Sequence, residues 1–388
     1  MHLMIKKVFL YLSYILLFFN TNLFTSENSD SLKIGLLAPF TGEYRDLGNS
    51  LLRTTQLAIE EINDKKIIII PRDSGSSDTN KMEKAINEII NKGAKVIIGP
   101  MLFEEFSKLE KYKNIIFLSL SNKRPEIKNN IISIGISLES QIMAIEKFII
   151  KKNKKKTIIM YPKNEYTKYI DERIRFINLK NYKIFKYSPD PKILTGEIER
   201  LTNYAQRKRN LTLRKKMLEK KEDISSKREL KDLEQKYTLG NLDFDSVIII
   251  DFGNNLKSVL ASLVFTDVND TDVLFTTVNQ WFDKSIFYEN TVKNLYYPSV
   301  NYKNFEKFKK DYFETFNLNV NEITILGYDA VGLIYYVWKK NDGINTINDF
   351  FIKDKIKGKI GNFKFSGEKI LQELKIYKTE NNKFIEAK

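Results

Sequence analysis

The sequence predicts an α/β protein of two Rossmann-like lobes built on parallel sheets, with a charged helical hairpin inserted into the second. Three observations predict it. The stretch "KIGLLAPFTGEYRDLGNSLLRTTQLAIEEIN", residues 33 to 63, runs from an apolar strand (Ile34 to Ala38) through a break at Pro39 and Gly42. It restarts with helix-spaced Leu47, Leu51, Leu52, Thr55, Ala58, Ile59 and Ile62, the first half of a parallel β-α unit. Short apolar strands then alternate with amphipathic helices, a pattern that requires parallel sheets joined by right-handed crossovers. Finally, 388 residues suffice for two separate cores.

The elements follow in order. A strand at Lys66 to Pro71 leads through the polar loop "RDSGSSDT" to a helix from Asn80 that Gly93 terminates as a C-terminal cap. "AKVIIGP" is a strand, "EEFSKLEKYK" a short helix, and "NIIFLSLS" and "NIISIGIS" are strands. Helix 138–150, strand "KTIIMYP", helix 166–179 and strand "YKIFKYS" continue the alternation. After the hairpin come "DSVIIIDF", helix 256–265, "DVLFTTV" and "NLYYPSV", then helices 305–316 and 323–340 and a β-rich end.

Composition narrows the chemistry. There is no Cys, which excludes disulfides, thiolate metal sites, a Cys nucleophile and a lipid-modified N-terminal Cys. The only His is His2, so the commonest catalytic and zinc-binding chemistries are missing. The expectation is a protein that is not an enzyme and holds no metal and no cofactor. Asp73 and Asp78 in "RDSGSSD" are five apart, which does not fit the spacing of a calcium loop. "SGEK", Ser366 to Lys369, spells Ser-x-x-Lys but falls in a β-turn rather than at a helix start.

Lys6 and Lys7 precede an apolar stretch, Val8 to Phe19, within residues 1–30. It is short of the about 20 residues that span a bilayer and fits the apolar region of an export signal. The expected location is the periplasm, with an uncleaved inner-membrane tether as the alternative, because no small-x-small triplet marks a cleavage site.

The formal charge of +15 is concentrated. Residues 151–240 hold 26 Lys+Arg and 12 Asp+Glu, a net of +14, whereas the other residues hold 38 and 37. Glu197 to Tyr237 holds 13 Lys+Arg and 8 Asp+Glu, a net of +5; it lacks Pro and spaces Ile198, Leu201, Tyr204, Leu211 and Leu218 at helical intervals. Ser226 and Glu229 form an S-x-x-E pattern expected to start the second helix of a hairpin over 197–237. Arg207, Lys208, Arg209, Arg214, Lys215 and Lys216 are the expected partner surface. No aromatic stacking surface is interleaved with them, so nucleic acid is not the expected partner.

The order "KIGLLAPFTGEYRDLGNSLLRTTQLAIEEIN", "PRDSGSSDTNKMEKAINEIINKGAKVIIGPM", "IIFLSLSNK" resembles the type 1 periplasmic binding proteins of the leucine-binding group. The charged insertion before Thr238, Leu239, Gly240, Leu242, Phe244 and Asp245, with "VNQWFD" and "LGYDAVGLIYYVW", is similar to the LppC-like penicillin-binding protein activators. The resemblance runs from Leu32 to Phe384. It implies three crossings between lobe one, 31–136 with 299–358, and lobe two, 137–298 with 359–388, around a ligand cleft. Carried over, Pro39, Phe40, Thr41 and Gly42 face that cleft, and Ser119 and Ser121 are its hydroxyl donors. Tyr161, Asp251 and Asn279 end strands of lobe two, as polar contacts or as groups facing water; Trp281 covers the cleft or closes its rim. Met101, Leu102, Phe103 and Glu104 stand where amino-acid binders of the group carry small hydroxyl residues. The implied partner is a cell-envelope protein of the peptidoglycan synthase type; the alternative is an ABC permease together with a small amino-acid-like ligand.

Overall fold

The computed structural model describes residues 31–75, 78–101, 109–122, 130–280, 285–288, 291–359, 361–366, 369–380 and 383–388. The expected export signal, Phe103, Trp281 and residues 104–108 of the "EEFSKLEKYK" stretch lie outside the described residues, and its described remainder, 109–113, forms turns rather than the expected helix.

β1 (Leu32–Ala38) is buried along nearly its whole length, as a strand covered on both faces must be. The chain continues through α1 (Arg45–Ile62), β2 (Ile67–Asp73), α2 (Thr79–Asn91), β3 (Val96–Ile98), β4 (Ile116–Ser119) and β5 (Ile131–Ser133). These strands form one parallel sheet in the order β2-β1-β3-β4-β5. Asp78 caps α2 by accepting from the Asn80 and Lys81 N–H groups, and Gly93 takes φ +86° past its other end, as expected.

The chain then passes to a second sheet through α3 (Leu138–Lys151), β6 (Thr157–Pro162), α4 (Thr167–Ile174), β7 (Tyr182–Tyr187) and α5 (Pro191–Leu201). The hairpin follows as α6 (Tyr204–Glu219) and α7 (Ile224–Glu234), and then β8 (Ser246–Ile249), α8 (Gly253–Phe265), β9 (Leu274–Thr277) and β10 (Leu295–Ser299). α9 (Tyr302–Phe316) and α10 (Ile325–Asn341) return to the first core, where Phe305, Phe308, Ala330, Val331 and Ile334 pack with Leu36, Leu51 and Ile98. Gly327 makes the α1–α10 approach possible, since a Cβ there would lie 2.3 Å from Leu51 Cδ1.

β11 (Ile356–Lys357), β12 (Asn362–Ser366) and β13 (Lys369–Gln372) form a small antiparallel sheet. β14 (Lys375–Glu380) and β15 (Lys383–Glu386) complete the second sheet, ordered β15-β14-β10-β9-β8-β6-β7. Phe363 and Ile370 belong to the first core. β12 and β13 therefore pack with the first core, whereas the lobe division read from the sequence places 359–388 in the second lobe.

The hairpin differs from expectation in two details. Residues 197–201 end α5, a frame helix whose Leu194 and Ile198 pack on α8, so the hairpin proper begins at Asn203. Its second helix is capped by Asp223, which accepts from the Ser226 N–H (2.8 Å) and hydroxyl (2.7 Å). Ser226 is a first-turn residue rather than the cap, and Glu229 turns away to bind Arg214 through both oxygens at 2.7 Å. Leu211, Leu218 and Leu233 give the hairpin a small core of its own.

Candidate functional site

The opening loop is bolted to the protein. Asp73 at the end of β2 accepts from the Phe40 N–H (2.9 Å), the Thr41 hydroxyl (2.6 Å) and the Gly75 N–H (3.0 Å). Lys81 of α2 pairs with the same carboxylate at 2.6 Å and donates to Thr41 Oγ1 at 2.9 Å. Partial burial works against the charge on Asp73, but Lys81, Thr41 and the two N–H groups together hold its pKa down to about 2. Pro39 is buried and Gly42 adopts φ +80° to turn the chain. The polar atoms of this loop serve its own anchoring.

The groups expected at the strand ends are committed in the same way. Ser119 is fully buried; its hydroxyl donates to the Pro100 carbonyl (2.8 Å) and accepts from the Ser121 N–H (3.1 Å). Ser121 is nearly as buried. Tyr161 donates to Asp171 Oδ1 at 2.5 Å, and Asp171 pairs with Lys186 at 2.8 Å. Burial foremost, then the Asp171 carboxylate, pushes the Tyr161 phenol well above its ordinary range. Asp251 is 5% exposed and accepts from the Tyr187 hydroxyl (2.5 Å) and the Phe252 N–H (2.8 Å). Burial raises its carboxyl pKa against the opposing pull of those donors.

Asn279 is the exception. Its N–H donates to Gln141 Oε1 (2.8 Å) and its Nδ2 to the Pro298 carbonyl (3.0 Å), but its buried Oδ1 has no hydrogen-bond partner among the described residues. Beside it Gln280 bridges the Asp251 carbonyl (2.9 Å) and the Gly253 N–H (3.2 Å). Among the described residues no group of three or more His, Cys, Asp or Glu could hold a metal ion.

The basic hairpin splits into two populations. Arg207 is 5% exposed and does not belong to a partner surface. Its guanidinium donates to Thr238 Oγ1 (2.7 Å) and to the Asp267 (3.0 Å), Thr266 (3.2 Å) and Thr202 (3.4 Å) carbonyls. It locks α6 onto the end of α8. Burial lowers its pKa, with Asp267 acting in opposition. Arg214 is held by Glu229. Lys208, Arg209 and Lys216 are exposed, Lys215 half-buried, and Leu213 and Met217 stand out between them at 54% and 58% exposure.

Residues 31–175 match a family model described as periplasmic binding protein. A putative branched-chain amino acid ABC transporter protein from Rhodospirillum rubrum superposes with TM-score 0.67 at 11% identity, covering 92% of this chain and 100% of that one. The C-domain of LpoA from Haemophilus influenzae, a regulator of PBP1A, gives 0.60 at 12% identity over 92% and 99%. LivJ from Streptococcus pneumoniae, in complex with isoleucine, gives 0.55 at 16% identity over 92% and 100%. This is a type 1 periplasmic binding protein fold. A comparison with curated proteins finds no significant match.

Within that fold, the anchoring pair Asp73 and Lys81, the amides Gln141 on α3 and Gln280 after β9, and Tyr187 are the residues that sequence reasoning passed over. Asp73, whose spacing from Asp78 does not fit a calcium loop, is the anchor of the opening loop. Its true signal is the pair of polar groups, Asp73 and Lys81, flanking the turn at Gly75, which takes φ +77°. No helix among the described residues is long and apolar enough to cross a membrane.

Proposed function

We propose that the protein is a non-catalytic extracytoplasmic accessory factor that acts by protein contact, with an envelope partner of the peptidoglycan synthase type, through the exposed face of its α6–α7 hairpin. The observation that carries this reading is where the polar groups are spent. Thr41, Ser119, Tyr161 and Asp251, the groups that would receive a zwitterion, are engaged with other parts of the protein. An amino acid buried among them would find its charges poorly paired, which is costly. The hairpin, by contrast, displays Lys208, Arg209 and Lys216 to solvent, and concentrating like charge costs self-repulsion that an acidic partner relieves. The similarity to the LpoA C-domain supports the same reading.

The alternative role, substrate-binding component of an ABC transporter for amino acids, is favoured by Asn279 Oδ1, a buried acceptor without a donor among the described residues, which a ligand ammonium or hydroxyl would satisfy. The test replaces residues 204–236 by a short turn. A folded protein that has lost salt-sensitive binding to the synthase supports contact through the hairpin. Undiminished binding makes the hairpin a solvated decoration and removes the basis for the proposal.

A further inference from the structure

A cavity of about 660 Å³ lies between α9, α10, Glu61 of α1, residues 352–359 and Phe363, apart from every residue assigned to the cleft or the hairpin. Its size falls in the range of small-molecule sites. The stripe Tyr328, Gly332, Tyr336 runs along α10 at four-residue spacing and faces it. Gly332 is unexplained by packing. Glycine disfavours a helix interior, yet a Cβ at Gly332 would meet no atom within 4 Å, whereas Gly327 on the same helix is required by Leu51. The gap at Gly332 opens a slot over the helix backbone, with the 45%-exposed ring of Tyr336 at one end and buried Leu333 and Phe363 among its lining.

The Tyr328 end of the cavity is fixed and polar. Asp329 Oδ1 accepts from the Lys359 N–H (2.6 Å); Lys359 Nζ pairs with Glu61 (2.7 Å) and lies 4.7 Å over the Tyr328 ring. Lys307 and Lys357 stand exposed on the rim, and Asn304 and Asp354 complete it. Carboxylates, an amide, lysines and an aromatic platform together do not suit a simple anion, which Glu61 and Asp354 would repel. They suit a molecule with both hydroxyls to donate and a negative group to be held.

We propose that this cavity binds a carboxylated saccharide, its ring laid over Gly332 against Tyr336, its hydroxyls donating to Glu61 and Asp354, and its carboxylate held by Lys307 and Lys357. The inference rests on the cavity alone and does not depend on the hairpin's role. The test is calorimetric titration of the full chain with N-acetylmuramate, and separately with N-acetylglucosamine and lactate, its uncharged sugar and its carboxylate arm. Binding of N-acetylmuramate at least about tenfold tighter than either fragment is expected. Gly332→Leu, which fills the slot with a good helix former, should weaken it at least about tenfold with a melting temperature no lower than the parent's. Lys357→Glu, at an exposed position, should abolish the preference over N-acetylglucosamine and decides the matter if Gly332→Leu fails to fold. No heat with N-acetylmuramate at about 10 mM, lactate binding as tightly as the whole molecule, or binding indifferent to both substitutions would overturn the proposal. Loss of synthase binding on removing the hairpin, with sugar binding intact, separates the two claims.

Discussion

Arg207→Ala separates the two populations of hairpin cations. The side chain donates to four oxygens, three of them main-chain carbonyls, and faces Asp267 Oδ2 at 3.8 Å. Hydrogen bonds from a charged donor contribute about 1.5–3 kcal/mol, and breaking a buried pair costs about 3–5 kcal/mol. The Asp267 side chain is 26% exposed, so water replaces part of what is lost. The cost should be about 3 kcal/mol, which in a chain of this size lowers the melting temperature by roughly 5 °C. Arg209→Ala and Lys216→Ala, on the exposed face, should each change stability by less than about 0.5 kcal/mol. Circular-dichroism melts of the three variants check this, with limited proteolysis across Asn203 to Tyr237 to show whether α6 has come loose. A melting temperature for Arg207→Ala within about 1 °C of the parent, or equal losses in all three variants, would refute the clamp.

Three other outcomes are expected. Lys81, Thr41 and the two N–H groups hold the Asp73 carboxyl down to about 2, below its ordinary 3.8, so its contribution is complete above the unfolded pKa and is lost as pH falls through the folded one; the melting temperature should drop between about pH 4 and pH 2, with a component missing in Asp73→Asn. Ser119→Ala leaves the buried Ser121 N–H without its acceptor, and should lower stability by about 1–3 kcal/mol as measured by urea titration. Gly327→Ala drives a methyl into Leu51 and should cost about 1–3 kcal/mol, whereas a neutral result would mean that α1 and α10 are less tightly packed than described.

The frame was legible because its strands and helices are set by local periodicity. β1, β6 and β8 are short Ile- and Leu-rich runs between turn residues, and the α2 stop at Gly93 follows from a positive φ that glycine accommodates. The site was not legible, because the partners of its groups lie far away in sequence. Thr41 meets Asp73 across 32 residues and Tyr187 meets Asp251 across 64, and no spacing rule connects them. The burial of Arg207 was hidden for a related reason. One helix carries Arg207, Lys208 and Arg209 on different faces, and only the position of Thr266 and Asp267 determines which of the three turns inward.

The central claim, contact through the hairpin, is tested most directly by the affinity of the protein for a purified peptidoglycan synthase from the same cell. The comparison is between the parent and the triple variant Lys208→Glu, Arg209→Glu, Lys216→Glu, at 0.1 M and 1 M salt. Screening shortens from about 10 Å to about 3 Å between those conditions. Measurable binding is expected for the parent at low salt, with its loss at high salt and its absence in the variant at both. Equal binding by parent and variant, or a melting temperature raised by an amino acid at millimolar concentration without any synthase binding, would contradict it.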